Sequence, residues 1–140
     1  TTPVERLSKE CVLKPMRQKE VRFVRSVMTQ AITVKPETLV EEASKIMIER
    51  SINHLPVVKK GRLIGIITSW DVAKAVAMRK VGSVAEIMIK KVITTMPDEP
   101  VEIAARKMEK HNISALPVVD AKNRIVGMVT SEDLSRLLVR

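Results

Sequence analysis

A threonine and an aspartate that could together bind a hydroxyl-rich ligand occur twice in the sequence, each time after a short apolar run. Residues 65–71 read Gly-Ile-Ile-Thr-Ser-Trp-Asp, and residues 127–133 read Gly-Met-Val-Thr-Ser-Glu-Asp. A carboxylate can accept two hydrogen bonds from a vicinal diol, and the free N–H groups of a helix N-terminus can receive an oxyanion. A single Thr-Ser-x-Asp after a strand is nearly always only a helix cap. The duplication is what favours a binding site.

The two stretches belong to a longer internal repeat. Met28 corresponds to Met88, and the Leu-Pro-Val-Val run at 55–58 returns at 116–119. Two single-residue insertions bring Gly65 into register with the second glycine. Self-similarity over this length indicates two copies of one structural unit.

Periodicity and punctuation predict the order of elements in each unit. Ile32 to Val34 is a short β-branched strand, and a capping box from Thr38 to Glu41 should begin a helix. A turn containing Gly61 should join two buried strands into a hairpin. A second helix should follow, capped by Thr68 or Ser69. Each unit is therefore expected to be strand, helix, strand, strand, helix.

The second unit should start its first helix with Pro100 at the first helical position, where the missing N–H costs nothing. The last helices should bury apolar stripes, made by Val72, Ala75 and Val76 in one copy and by Leu134, Leu137 and Leu138 in the other. One unit alone would expose too much apolar surface, so the two should pack around a pseudo-twofold axis in an α+β fold. The predicted organisation is a leader over 1–23, repeat 1 over 24–80 and repeat 2 over 81–140.

Composition narrows the function. The chain holds one Phe, one Trp and no Tyr, so its core must be aliphatic and no aromatic platform for single-stranded nucleic acid is expected. The net charge is +9, but the basic residues are spread along the chain and interleaved with acidic ones. They are locally dense only from Lys14 to Arg25. The single Cys11 fits a reducing compartment, and no apolar run is long enough to span a bilayer. We expect a cytoplasmic protein without a membrane partner.

No catalytic or metal-binding constellation is evident. His54 adjoins a predicted strand, His111 ends a helix, and neither has a cluster of Cys or carboxylates at ligand spacing. No nucleophile and base can be paired, and the two aspartates of the motif lie in different copies. The sequence therefore predicts a protein that is not an enzyme and holds no metal.

The duplicated Leu-Pro-Val-Val runs, the Gly-x-x-Thr-x-x-Asp stretches and the order of elements together resemble a tandem pair of CBS domains, the Bateman module, from Val24 to Arg140. The resemblance implies a regulatory, non-catalytic module whose ligands are adenosine derivatives held in clefts between the repeats. We further expect ligand binding to shift the arrangement of the two repeats, or of two modules in a dimer.

The resemblance also implies roles for individual residues. Asp71 and Asp133 would accept hydrogen bonds from the ribose hydroxyls, and Thr68 and Thr130 would reach the ribose or its 5′ group. The adenine would lie against Ile66 in one copy and Met128 in the other. The glycine of each motif would let a flat base approach the backbone. The remaining expected wall residues are Thr33, Val34, Asn53, His54, Leu55, Pro56, Thr94, Ser114, Ala115, Leu116 and Pro117.

The ligand itself stays open between two chemistries. S-adenosylmethionine or methylthioadenosine suits motifs that carry no cation and have apolar walls, whereas AMP, ADP or ATP would suit the positive net charge. The first pair is slightly favoured. Two other functions remain as alternatives: a purely structural dimerisation module, and a basic accessory domain that binds nucleic acid. We also expect a homodimer, and an effector domain upstream in a longer parent chain, because the sequence begins at Thr1 without Met.

Overall fold

Two units of matching elements make up the fold, and the computed structural model describes them over residues 22–139. The first unit contains α1 (Val24–Val27), α2 (Val40–Arg50), β1 (His54–Lys59), β2 (Arg62–Thr68) and α3 (Ser69–Ala77). The second contains α4 (Val84–Ile87), α5 (Val101–His111), β3 (Ala115–Val119), β4 (Ile125–Thr130) and α6 (Ser131–Ser135), then a 3-10 helix over Arg136–Leu138. Cys11 and the leader as far as residue 21 lie outside the described residues. The predicted α+β class is confirmed.

Each unit has one antiparallel hairpin, β1 with β2 and β3 with β4. The first hairpin turns over two residues, Lys60 at φ 52° and Gly61 at φ 79°. Positive φ at both positions is what a tight hairpin turn requires, so the predicted turn at Gly61 is confirmed. The second turn is longer and places Asn123 at φ 62°.

The strand predicted to open each unit is reduced to a single parallel bridge. The Val34 N–H donates to the Pro56 carbonyl at 3.0 Å, and the Val34 carbonyl accepts from the Val58 N–H at 2.9 Å. Thr95 makes the same bridge beside Val118. The predicted strand at Ile32–Val34 was too long, because the chain meets β1 at one residue before turning away at Pro36.

The predicted start of the first long helix was wrong in the first unit. Leu39 is the N-cap of α2 and no side chain caps it. The Thr38 hydroxyl instead accepts from the Lys35 N–H at 3.1 Å. The first helical N–H, that of Val40, donates to the Gly82 carbonyl at 2.9 Å. A backbone acceptor from the second half of the chain therefore replaces the side-chain cap that the sequence indicated.

The second unit repeats this arrangement. Pro100 is the N-cap of α5 and lies one position before the predicted one. The N–H of Val101, the first helical residue, donates to the Arg22 carbonyl at 2.9 Å. The two long helices thus begin in the same way, each on a carbonyl from the segment that precedes the other repeat's short helix.

These contacts exchange segments between the two halves. Val84, which is fully buried, packs in the first core, whose other buried members are Val34, Ala43, Met47, Leu55, Val57 and Ile67. Val24, also fully buried, packs in the second core with Ala104, Met108, Leu116, Val118 and Val129. Each core is therefore completed by the first helix of the other unit.

Paired bridges reveal the predicted pseudo-twofold arrangement. The bridge from Phe23 to Pro100 is matched by the bridge from Leu39 to Ser83. Arg62 pairs antiparallel with Arg124, its own counterpart, so the axis passes between these two residues. The two units are consequently related as the repeat predicted.

The apolar stripes of the last helices are only partly buried. Ala75 is buried and Val72 packs against the first core, but Val76 is 62% exposed. Leu134 packs against the second core, whereas Leu138 is 72% exposed. Within residues 22–139 we find no helix whose length and apolar character would let it cross a membrane.

Candidate functional site

The first Thr-x-x-Asp stretch forms a complete capping box at the start of α3. Asp71 Oδ2 accepts from the Thr68 N–H at 2.9 Å and from the Thr68 hydroxyl at 2.8 Å. In return the Asp71 N–H donates to Thr68 Oγ1 at 3.2 Å. The other carboxylate oxygen, Oδ1, lies 3.6 Å from Lys74 Nζ. One oxygen of the buried Asp71 side chain thus secures the helix, and the second is directed at a cation.

The second stretch repeats this geometry at the start of α6. Asp133 Oδ2 accepts from the Thr130 N–H at 2.8 Å, and the Asp133 N–H donates to Thr130 Oγ1 at 3.2 Å. Arg136 donates to Asp133 Oδ1 at 3.2 Å. Helix capping therefore accounts for the threonine and the aspartate in both copies, and in both copies Oδ1 takes no part in the cap.

The glycine of each motif admits a neighbouring segment of backbone. A Cβ at Gly65 would lie 2.5 Å from Met88 Sδ and 3.0 Å from the Ile89 carbonyl oxygen. At Gly127 it would lie 2.9 Å from Met28 Sδ and 3.0 Å from the Thr29 carbonyl oxygen. The structure thus gives these glycines a different role from the predicted approach of a flat base.

A cavity of about 620 Å³ opens beside the first motif. Its walls come from four places: the start of β1, the end of β2 with the start of α3, the segment after α4, and the chain around the end of α5 and the start of β3. Its lining residues include Asn53, His54, Ile66, Thr68, Trp70, Asp71, Lys74, Ile89, Lys91, Ile93, Ser114, Ala115 and Pro117. We call it cavity 1.

A smaller cavity, of about 320 Å³, opens beside the second motif. The end of β4, the start of α6, the segment after α1, the chain between α2 and the start of β1, and the residue before β3 form its walls. Its lining residues include Thr29, Gln30, Ile32, Asn53, His54, Ser114, Met128, Thr130, Glu132, Asp133 and Arg136. We call it cavity 2.

Three residues line both cavities, namely Asn53, His54 and Ser114. The Asn53 carbonyl accepts from the Ser69 N–H at 3.0 Å, and the Ser114 carbonyl accepts from the Ser131 N–H at 2.8 Å. These bonds tie the common wall to the first residue of each motif helix, so the two cavities share a boundary.

A family model described as CBS domain matches residues 24–78 and again residues 84–140. The chain belongs to the CBS domain family. The resemblance drawn from the duplicated motifs is therefore confirmed, and the chain contains a CBS pair.

Curated relatives contain this CBS pair within longer proteins. The chain is 45% identical over 141 residues to the L-aspartate semialdehyde sulfurtransferase of Methanosarcina acetivorans, covering 99% of the chain and 28% of the relative. It is 49% identical over 117 residues to the homoserine O-acetyltransferase of Methanococcoides burtonii, covering 82% of the chain and 24% of the relative. The chain thus spans about a quarter of the length of these proteins.

Among solved structures, the CBS pair is similar to the CBS domain pair of protein MJ0100 in complex with 5′-methylthioadenosine and S-adenosyl-L-methionine. The TM-score is 0.80 and the identity 50%, over 84% of this chain and 95% of that one.

Most of the residues expected to bind a ligand lie along one or both cavities of the CBS pair, but six do not line either. Leu55, Leu116 and Val34 are buried in the two cores. Pro56 is fully buried, and its carbonyl accepts the bond from Val34. The other two are Thr33, which is half-buried, and Thr94, whose carbonyl accepts from Lys107 Nζ at 2.9 Å.

Other lining residues were absent from the sequence prediction. Lys74 and Arg136 each follow the motif aspartate by three residues, a spacing that places them on the same helix face and could have identified them. Trp70 is 68% exposed and lines cavity 1. Lys91 follows α4 and Gln30 follows α1. The segments around α4 and α1 each pack against the other unit, and we call them the crossing segments. No local sequence pattern indicates that their residues line a cavity.

Among residues 22–139, no group of three or more His, Cys, Asp or Glu side chains could hold a metal ion.

His54, at the wall common to both cavities, has a lowered pKa. Burial lowers its pKa below the ordinary value of 6.5, and the negative charge of Asp71 opposes that shift only in part. The folded protein therefore binds this proton less readily than the unfolded chain does. Its contribution to stability is complete above pH 6.5 and is lost as the pH falls through the folded-state pKa.

We therefore expect the free energy of unfolding of the wild type to fall relative to that of His54→Ala between pH 7 and pH 5. Alanine is the residue that the second repeat carries at the equivalent position, Ala115. The relative slope should approach at most about 1.4 kcal/mol per pH unit for one proton. Urea unfolding at several pH values measures it. Parallel stability curves for the two proteins would contradict the assignment.

Proposed function

We propose that this CBS pair is a regulatory, non-catalytic module that binds an adenosine-derived ligand, with S-adenosylmethionine or methylthioadenosine as the first candidates. Asp71 and Asp133 are the residues proposed to hold the ribose, one beside each cavity. Binding is proposed to change the arrangement of the two repeats and so the activity of a domain elsewhere in the parent chain, in the cytoplasm.

The observation that carries the proposal is the orientation of the two motif carboxylates. Each is at least nine-tenths buried, and Oδ2 is taken up by its capping box. The Oδ1 atoms make only a contact with the exposed Lys74 or Arg136, which can swing aside. An acceptor held rigidly by a helix cap at the edge of a cavity is suited to the vicinal hydroxyls of a ribose.

Apolar walls support the adenosine part of the proposal. Ile66, Ile89 and Ile93 line cavity 1, and Ile32 and Met128 line cavity 2. Such walls suit a purine face and a thioether, while one or two polar groups fix the orientation. The MJ0100 pair, half identical in sequence, was solved with two ligands of this class.

Lys74, Lys91 and Arg136 favour AMP, ADP or ATP as a second candidate. All three line a cavity, where a lysine or arginine could bind a 5′ phosphate. The sequence prediction had treated both motifs as free of cations, and these side chains reopen the choice between sulfur compounds and nucleotides.

An exposed apolar face supports the proposed homodimer. Ile48 on α2 is 79% exposed, Val76 on α3 is 62% exposed, and Val81 is 50% exposed. The three line one groove of about 500 Å³ between the two helices. Exposed apolar patches of this kind are typical of protein contacts. If the pair served only to dimerise through this groove, the cavities would bind neither the sulfur compounds nor the adenine nucleotides.

Calorimetric titration with S-adenosylmethionine, methylthioadenosine, AMP and ATP tests the proposal. We expect at least one to bind, and we expect Asp71→Asn and Asp133→Asn each to weaken binding at its own cavity by about tenfold or more. Asparagine keeps an amide oxygen for the cap, whereas alanine would also remove the capping box and destabilise the helix by about 1 kcal/mol.

Asp98→Asn is the matched control, since Asp98 is exposed and lines neither cavity. It should bind as the wild type does. If none of the four compounds binds, or if the two asparagine variants bind like the control, the proposed function is wrong.

A further inference from the structure

The two cavities of the CBS pair differ in charge at positions that the repeat makes equivalent. Trp70, in the first motif, corresponds to Glu132 in the second, and each lines its own cavity. Lys74 corresponds to Arg136, so the cation that follows each motif is common to both. The substitution of tryptophan by glutamate therefore gives cavity 2 one negative charge that cavity 1 lacks.

The crossing segments add a second difference. Ile89 exchanges two backbone hydrogen bonds with Ile66, at 2.8 and 2.9 Å, and Thr29 exchanges two with Met128 at the same lengths. These bonds fix the segments in equivalent places beside the two motifs. The sequence then continues as Lys-Lys at 90–91 in one and as Gln-Ala at 30–31 in the other.

Of these residues, Lys91 lines cavity 1 and Gln30 lines cavity 2. Cavity 1 is accordingly lined by two lysines and one carboxylate, and cavity 2 by one arginine and two carboxylates. With His54 neutral and common to both, the two cavities carry net charges of opposite sign.

We propose that the two cavities select adenosine ligands by charge: cavity 2 takes a ligand with a cationic sulfonium, and cavity 1 takes a neutral or anionic one. This rests on the proposed function. S-adenosylmethionine and methylthioadenosine share the adenosine and the 5′ sulfur, but the first adds both a positive net charge and an aminocarboxypropyl chain. The effect of charge is therefore separated from that of the chain by its dependence on ionic strength and by variants that remove one charge. The charged side chains are exposed, so each difference should change relative affinity by only a few fold, and the two together by about tenfold.

Trp70 allows ligand binding at cavity 1 to be measured separately from binding at cavity 2. It is the only tryptophan of the chain, the chain has no tyrosine, and its ring lies in the wall of cavity 1. Fluorescence excited at the indole band therefore reports ligand entering that cavity, while calorimetry reports binding at both.

The test measures the affinities of both ligands in the 140-residue chain with one motif disabled. Asp71→Asn leaves cavity 2 as the stronger site, and Asp133→Asn leaves cavity 1. We expect the preference for S-adenosylmethionine over methylthioadenosine to be about tenfold greater in the first variant than in the second. Raising the ionic strength should reduce that difference.

Two neutralising changes then assign the selectivity to residues. Glu132→Gln should weaken S-adenosylmethionine at cavity 2, and Lys91→Gln should strengthen it at cavity 1, each by about threefold, with methylthioadenosine little affected. Lys90→Gln is the matched control, because it removes the same charge one residue away without lining the cavity. It should leave the preference within error of the wild type.

If both ligands bind and the preference is equal in the two cavities, the charge assignment is wrong while the proposed function stands. The same conclusion follows if Lys90→Gln acts as strongly as Lys91→Gln. If neither ligand binds at any salt concentration, this inference is wrong, and the proposed function fails as well only if AMP and ATP also do not bind.

Discussion

Replacing Val24 by alanine should loosen the core of the second repeat, although Val24 lies at the start of the first in sequence. Its side chain is fully buried against Ala104, Leu116 and Val129. Removing two methyl groups from such a site leaves a cavity and should lower the free energy of unfolding by about 2–3 kcal/mol. That is a large share of the stability of a domain of this size.

Val84→Ala is the reciprocal change and should loosen the first core, where Val84 packs with Ala43, Leu55 and Ile67. Amide hydrogen exchange can distinguish the two variants, because it reports protection residue by residue. Val24→Ala should reduce protection most in β3 and β4, and Val84→Ala most in β1 and β2. Val126→Ala, at a side chain that is 42% exposed, is the control and should change neither core.

If each valine variant reduced protection chiefly in the repeat that contains it in sequence, the exchange of segments would be contradicted. Denaturant unfolding tests the same exchange by measuring whether the two repeats unfold together. Since each core holds a helix from the other half, the two repeats should unfold in one cooperative transition, in the wild type and in both variants.

This exchange marks the limit of what could be predicted from the sequence. The repeat, the hairpins and the long helices follow from local periodicity and turn residues, and the structure has them nearly where expected. Nothing local to Val84 indicates which core it enters, because the contact partners Leu55 and Ile67 belong to the other copy. A pseudo-symmetric repeat allows both pairings, and only the tertiary contacts choose between them.

The same exchange explains the errors at the helix starts. Thr38 followed by Glu41 has the spacing of a capping box, but the N–H of Val40 already has the Gly82 carbonyl as its acceptor. The backbone carbonyl from the segment before α4 satisfies this N–H, so α2 begins at Val40 without a side-chain cap. At α3, Thr68 caps the helix as predicted, although the first helical N–H there also donates to a backbone carbonyl, one of the same unit.

The residues of the candidate site that belong to the duplicated motif could be predicted from the sequence. Thr68, Asp71 and their copies could be identified from spacing alone, and their duplicated context pointed to the cavities they line. The walls contributed by Lys91 and Gln30 could not, since these residues reach the cavities through backbone pairing with a strand of the other unit. Distinguishing the charges of the two cavities therefore required the fold.

The glycine at the head of each motif should not tolerate alanine, for a reason connected with the same crossing segments. In Gly65→Ala the new Cβ would meet Met88 Sδ at 2.5 Å and the Ile89 carbonyl oxygen at 3.0 Å. That carbonyl accepts the Ile66 N–H at 2.9 Å, so moving it weakens the bridge that forms one wall of cavity 1. Overpacking of this kind costs about 1–3 kcal/mol, more than the fraction of a kcal/mol that alanine gains by restricting the unfolded chain.

Gly127→Ala should have a smaller effect, because its Cβ would lie 2.9 Å from Met28 Sδ, farther than the 2.5 Å between the Cβ of Gly65→Ala and Met88 Sδ. Urea unfolding measures both losses, and ligand titration should show weaker binding at cavity 1 for Gly65→Ala and at cavity 2 for Gly127→Ala. A wild-type stability for Gly65→Ala would contradict the close approach.

Shortening the obstructing side chain tests the cause directly. Met88→Ala removes the sulfur that the new Cβ would meet, so Gly65→Ala combined with Met88→Ala should lose less stability than the sum of the two single changes. A double-mutant cycle gives this coupling, which we expect to favour the pair by about 1 kcal/mol. Full rescue is not expected, because the Ile89 carbonyl remains 3.0 Å from the added carbon. Strictly additive losses would mean that the glycine serves some purpose other than admitting the segment that walls the cavity.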